Sequence, residues 1–245
     1  MKFLKKQLKR IFEKFSINRG DINLNTRKGA LNKAWGYTFS NHRMGDYVEF
    51  GVYKGDSFYD SISVYLKFEN WFINEYQSDE NWRVNLAKKS PLNKQPRFHG
   101  LDTFEGMPEN KEKNIIFEKG NFYSNIDNVK KRIKKLKNID YKLYKGNFTE
   151  SDNSLKENLK NRKVAIINFD CDIQKSTDEA LEIIKDKIDI GTILMFDDYN
   201  SFNADNKYGQ RKSFINFSKN ENFIFEKFFT YEYVGQCFLT VGKKY

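Results

Sequence analysis

The sequence predicts a doubly wound α/β fold, a mostly parallel sheet closed at one side by an antiparallel hairpin. Two patterns carry this expectation. From Asp46 onward, short apolar runs of strand length alternate with stretches of helical periodicity, as in βαβ units whose strands pair in parallel. Near the end the alternation stops: Phe223–Phe229 and Tyr233–Val241 follow one another with no helical stretch between them, so they read as two antiparallel strands. Of the 245 residues, 39% are hydrophobic and 16% aromatic, which is ample for a core and excludes wholesale disorder.

Taken in order, Met1–Ser16 reads as a basic amphipathic helix, with Leu4, Leu8, Ile11, Phe12 and Phe15 on one face and lysines around it. It lacks the cleavage site of a signal peptide. Docking on this chain or a partner subunit and lying on a membrane surface both remain open for it. Residues 1–45 are expected to form an N-terminal helical extension and 46–245 the main domain. Trp35, Tyr37 and Phe39 are expected in the core of that extension, with capping of a substrate as the alternative. Tyr47–Val52 is a strand, Ser57–Phe68 a helix, Glu69–Arg97 a polar irregular stretch and Phe98–Asp102 a strand. Ile126–Lys137 is an amphipathic helix, with Val129, Ile133 and Leu136 inward and its basic run solvated. Tyr141–Tyr144 and the buried Lys163–Asp170 are strands, Ser176–Lys187 a helix, Gly191–Asp197 a strand and Arg211–Ser218 a helix.

Composition narrows the function. The formal charge is +10, yet no nucleic-acid recognition module accompanies the basic clusters, so solvated faces are expected and no nucleic-acid partner. Two cysteines, Cys171 and Cys237, make neither a disulfide scaffold nor a zinc site. The expected compartment is cytoplasmic. Runs such as Val164–Ile167 and Ile193–Phe196 are far too short to span a bilayer.

In a doubly wound sheet ligands bind beyond the carboxyl ends of the strands, and acids gather there. The first strand runs into Gly51 and Gly55 before a helix, a turn that admits close backbone approach and offers helix-start amides to a negative group. The second ends at Asp102, suited to a ribose diol. Asp170-Cys171-Asp172 and Asp197-Asp198-Tyr199 end two more strands. Four like charges in one crevice require a cation or shared protons, and an all-oxygen set suits Mg²⁺ or Ca²⁺.

These motifs occur together and in order: Val48-Glu49-Phe50-Gly51-Val52-Tyr53-Lys54-Gly55-Asp56-Ser57, Leu101-Asp102-Thr103-Phe104-Glu105-Gly106-Met107-Pro108, Asp170-Cys171-Asp172 with Ser176-Thr177, and Asp197-Asp198-Tyr199. Over 46–217 the chain resembles the macrocin O-methyltransferase family, which methylates sugar hydroxyls with S-adenosylmethionine (SAM). The resemblance implies a seven-stranded class I methyltransferase fold. By motif, Gly51 and Gly55 would shape the SAM loop, with Glu49, Tyr53 and Ser57 near the methionine part. Asp102 would hold the ribose, Gly146 and Asn147 would border the adenine, and Asp170 would also face SAM. Asp170, Asp197 and Asp198 would ligate Mg²⁺, and Asp172 would be the general base. The chain departs from the family's pattern at Gln174, where an aromatic is usual, and at Asp56, where a third glycine is common.

The implied function is a Mg²⁺- and SAM-dependent O-methyltransferase acting on a hydroxyl of a sugar or glycosylated metabolite, with methylation of a catechol a nearer variant. A homo-oligomer is expected, with the amphipathic N-terminus as its seam. The rival enzyme is a glycosyltransferase using Asp170-x-Asp172 on a metal-bound diphosphate. It leaves the glycine turn, Asp102 and the Asp197–Asp198 pair unexplained. A basic nucleic-acid-binding protein is the non-enzyme alternative.

Overall fold

The structure is a computed structural model that describes residues 23–76, 95–112 and 115–244. The expected Met1–Ser16 helix and 77–94 of the irregular stretch lie outside the described residues. The strands are β1 (Asp46–Phe50), β2 (Arg97–Asp102), β3 (Asp140–Lys145), β4 (Val164–Phe169), β5 (Ile193–Phe196), β6 (Phe223–Tyr231) and β7 (Gly235–Lys243). They form one sheet in the order β3-β2-β1-β4-β5-β7-β6. The first five are parallel, while β7 runs antiparallel to β5 and β6 to β7. The chain winds outward through β1, β2 and β3, then returns to place β4 beside β1. That reversal opens a crevice beyond the ends of β1 and β4.

Both faces of the sheet are covered, which is why β1, β4 and β5 are buried along their whole length. Helices α1 (Arg27–Ser40), α2 (Asp56–Tyr76) and α3 (Ile126–Ile133) share one core with the sheet. Helices α4 (Phe148–Asn158), α5 (Gln174–Ile184) and α6 (Gly209–Asn220) share the other. Trp35 anchors the first core: it is fully buried, donates its Nε1–H to Ser61 Oγ at 3.0 Å, and lies 5.1 Å from the Tyr65 ring. Phe39 is buried with it and Tyr37, partly buried, packs against the same cluster. α1 lies within this core. α2 runs on through Glu69 to Tyr76, so the helix is longer than the sequence suggests.

α4 has no counterpart among the expected elements. Its buried positions Phe148, Ser151 and Leu155 form one face, with only two apolar residues inside a polar stretch. α3 closes at Ile133, earlier than expected, although Leu136 still packs on the same core. Among the described residues, no helix is long and apolar enough to cross a membrane. Both cysteines are free and buried.

Register places the site. Phe50 lies opposite Leu101 on β2 and Phe169 on β4, and Phe169 lies opposite Phe196 on β5. The rings of Phe50, Phe169 and Phe196 stack in a row, with centroids 5.7 and 4.6 Å apart, on the α4–α6 face. One step further along each strand stand Gly51, Asp102, Asp170 and Asp197. Because side chains alternate across a sheet, Asp170 and Asp197 turn to the opposite face, where α1 packs.

The amino ends of the strands carry a different polar cluster. Asp46 is buried, accepting from Arg162 Nε at 2.6 Å, Arg162 Nη2 at 2.7 Å and the Arg97 N–H at 2.9 Å, with His99 Nε2 at 3.3 Å. This carboxylate ties the starts of β1, β2 and β4 together. Asp46→Ala leaves Arg162 and a backbone N–H without their partner and is expected to cost about 3 kcal/mol, measured by urea unfolding, with ligand binding in the folded protein unchanged.

Candidate functional site

The glycine turn after β1 is fixed by its neighbours. Gly51 has φ +91°, and a Cβ there would lie 1.8 Å from the Asp170 carbonyl oxygen, so only glycine lets β1 and β4 end side by side. Gly55 has φ +78° and would press a Cβ to 2.7 Å from Val129 Cγ1 of α3. Asp102 holds the loop between them: its Oδ2 accepts the N–H groups of Val52 and Tyr53, both at 2.7 Å, and its Oδ1 that of Phe104 at 2.6 Å. A carboxylate has about four acceptor positions, so Asp102 has room for one more hydroxyl rather than two. Tyr53 sits in the left-handed region at φ 49°, its carbonyl taking Ser124 Oγ at 2.6 Å. Asp56, in place of a third glycine, opens α2 where an acid suits the helix dipole, and Arg132 of α3 pairs with it.

Beside that loop Glu49 is fully buried. It accepts the hydroxyl of Tyr47, Ser57 Oγ at 2.8 Å and Asn168 Nδ2 at 3.2 Å. Burial pushes its carboxyl up to about 7 against these hydrogen bonds. Gly146, φ +137°, donates its N–H to the Asp102 carbonyl at 3.1 Å, which brings the turn after β3 next to Asp102. Asn147 has a structural task there: its N–H and side-chain amide both donate to Glu150, at 3.0 and 3.2 Å, closing the start of α4.

The acids converge, with one sorted apart. Asp170, Asp172 and Asp198 bring carboxylate oxygens within 4.8 Å of one another. Burial first, then the Asp197 charge, holds Asp170 well above the usual carboxylate range. Burial and Asp198 do the same to Asp172, whose backbone is left-handed at φ 59°, a strain of the kind stored at functional sites. Asp197 instead faces Arg27, the first residue of α1. Arg27 bonds Asp197 Oδ2 through Nη2 and Asp170 Oδ2 through Nη1 at 3.1 Å. Burial raises Asp197 to about 6 although Arg27 opposes the rise. The sequence grouped Asp197 with Asp170 and Asp198; the structure draws Asp172 into that group and pairs Asp197 with an arginine.

Two further residues shape the cluster. Gln210, fully buried on α6, accepts the Asp198 N–H on Oε1 at 2.9 Å and donates from Nε2 to the Phe169 carbonyl at 3.0 Å. It joins the ends of β4 and β5. Ser201 Oγ donates to Asp198 Oδ1 at 2.9 Å. Glu112 accepts the Gln174 N–H at the start of α5. Gln174 itself turns its amide to Asp178 at 3.2 Å, along its own helix. Arg211 bonds Asn206 at 2.6 Å and Asn200 at 2.8 Å, so it staples the loop before α6. Arg27 and Gln210 are ordinary surface residue types in the sequence, and only the fold reveals that they are drawn inward.

A seven-stranded sheet in this order, with a glycine turn after β1 and an acid after β2, defines a class I methyltransferase fold. The family model for macrocin-O-methyltransferase (TylF) matches residues 86–223, more than half of the chain, and the chain belongs to that family. It is an O-methyltransferase. Similar solved structures include the O-methyltransferase NovP, with TM-score 0.64, 14% identity, and 88% of this chain and 80% of that chain covered. The calicheamicin methyltransferase CalS11 aligns with TM-score 0.64, 16% identity and coverage of 88% and 79%. An O-methyltransferase from Bacillus cereus in complex with SAH aligns with TM-score 0.51, 11% identity and coverage of 97% and 91%. No curated protein matches the chain. The Asp170-x-Asp172 pair therefore ends a methyltransferase strand, and the glycosyltransferase reading falls.

The raised Glu49 carboxyl gives a pH test. Between its unfolded value, 4.5, and about 7 the folded chain holds a proton that the unfolded chain has lost. Stability from this group is full below that window and is lost as pH rises through it. Glu49→Gln, followed by thermal melts across the window, is expected to make the fall in Tm with rising pH shallower than in the wild type.

Proposed function

We propose that the chain transfers a methyl group from SAM to a hydroxyl of a sugar or glycosylated metabolite, with Mg²⁺ as the cation. The observation that carries this reading is the convergence of three carboxylates within 4.8 Å at the crevice beside the Gly51–Gly55 turn. The donor set fits such an ion: it is all oxygen, as hard cations prefer, and Asp197 Oδ1 is buried without a hydrogen-bond partner. The cofactor reading rests on the family and on the turn itself, since Asp102, with one acceptor position left, stands beside it at the place where such sheets bind nucleotides.

In this reading Gly51 to Ser57 receive the methionine part of SAM and Asp102 takes one ribose hydroxyl with its remaining acceptor position. Gly146, hydrogen-bonded to the Asp102 carbonyl, borders the adenine together with Asn147. Asp170 and Asp198 would hold the cation, joined by Asp197 where Arg27 releases it, and the ion would supply a lowered pKa at an acceptor hydroxyl. Asp172 is the base: it stands with Asp170 and Asp198 in the carboxylate group, and in its ionised form it takes the proton from the acceptor hydroxyl on a carboxylate oxygen. Gln210 and Ser201 fix Asp198, and positioning supplies much of the rate in a displacement of this kind. The acceptor meets an aromatic rim, where the Phe202 ring stacks on half-exposed Tyr208 and lies 5.6 Å from Phe117. Rings of this kind suit the apolar face of a sugar.

Calorimetric titration with SAM, with and without Mg²⁺, tests this directly. Wild type is expected to bind SAM and Asp102→Ala about tenfold or more weakly, while Asp172→Asn keeps SAM binding and loses roughly 10²–10⁴-fold in methyl transfer. Absence of SAM binding in both conditions would end the methyltransferase assignment of this crevice.

A further inference from the structure

We propose that Arg27 is a resident counter-cation that sets how tightly the acidic crevice takes its metal. The inference rests on the cation reading above and adds a residue to it. Arg27 begins α1, yet its partners are the ends of β4 and β5. Nη1 reaches Asp170 Oδ2 at 3.1 Å and Nη2 bonds Asp197 Oδ2. The position is braced from outside: the Arg27 N–H donates to Glu232 Oε1 at 3.0 Å, and Thr26, the residue before it, caps α1 by accepting the Gly29 N–H at 3.1 Å. Arg27 is therefore held at the crevice by the helix start, with a planar fork that spans two carboxylates as a lysine cannot.

The residue has two consequences for a cation. Asp170 is shared, since it belongs both to the Asp170–Asp172–Asp198 group and to the arginine pair. Asp197 is occupied, although it stands one residue from Asp198 and in register with Asp170. A guanidinium a few ångströms from the same carboxylates repels a divalent ion, and in a site this buried the repulsion is only partly screened. The surroundings leave room for a change of partner. Arg27 Nε, Asp197 Oδ1 and the Tyr231 hydroxyl are all buried without a hydrogen-bond partner. Arg27 thus competes with the metal for Asp197 and weakens its hold on Asp170, and it ties cation affinity to the seating of α1.

The test is Mn²⁺ affinity of the full-length chain, read by electron paramagnetic resonance of the free ion and needing no turnover. Arg27→Met is expected to tighten Mn²⁺ at least tenfold, and Arg27→Lys, which cannot bridge both acids, to fall between it and wild type. Lys28→Met, whose partner is Asp60 on α2, is expected to leave affinity unchanged. In a double-mutant cycle Asp197→Asn should weaken Mn²⁺ by less than tenfold in wild type and by more than tenfold in the Arg27→Met background, where Asp197 is released. If Arg27→Met does not fold, tightening by Arg27→Lys carries the test. Wild-type binding with equal or weaker affinity in the arginine variants, or an Asp197→Asn effect independent of Arg27, overturns the proposal alone. Failure of every variant to bind Mn²⁺ overturns it together with the cation reading.

Discussion

Mutual repulsion among buried and half-buried carboxylates at the carboxyl edge of the sheet is the constraint on which the site depends. The parallel register brings Asp170 and Asp197 to the ends of neighbouring strands, and the turns that follow add Asp172 and Asp198. Buried like charges persist only if a cation, protons or hydrogen-bond donors offset them. In this chain each kind of relief has a source. Arg27 supplies positive charge to Asp170 and Asp197, raised carboxyls favour protons at Asp170 and Asp172, and Ser201 donates to Asp198.

The two ends of the same strands solve opposite problems. At the amino edge Asp46 has Arg162, His99 and a backbone N–H around it, and the cluster holds strands together. At the carboxyl edge Arg27, Asn168, Asp197 and Tyr231 each keep a buried polar atom unpaired, which a finished structural network would not tolerate. The contrast lies between the two acids, Asp46 with both oxygens paired and Asp197 with Oδ1 unpaired, since Arg43 Nη1 beside the start of β5 is an unpaired atom at the amino edge too. Gln210 and Asp102 bridge the two demands, since each uses ordinary backbone hydrogen bonds to set the position of a functional acid or loop.

Much of this was legible in the sequence, for definable reasons. Strands buried on both faces read as unbroken apolar runs, so β4 and β5 stood out, and the acids that follow them pointed to the crevice. The hairpin of β6 and β7 was recognisable because no helical pattern intervenes. α4 was hidden because its inward face includes Ser151 and its start signal, Asn147 with Glu150, is one short capping pattern in a polar stretch. α2 was cut short because Glu69 and Asn70 interrupt its apolar face. The partition of the acids was illegible for a deeper reason. Arg27 and Asp170 lie 143 residues apart in the chain, and Arg27 and Asp197 lie 170 apart, so no local spacing announces that an arginine at a helix start will claim one member of the Asp197–Asp198 pair. Gln210 was hidden likewise, since a glutamine between glycine and arginine gives no sign that it will be buried.

The most direct measurement is a crystal of the full-length chain soaked with Mn²⁺ and read by anomalous scattering at the manganese edge. The account predicts one strong peak among the carboxylates of Asp170, Asp172 and Asp198, at the crevice between the ends of β4 and β5. A peak elsewhere on the molecule, or none at this crevice with the ion in excess, would contradict it.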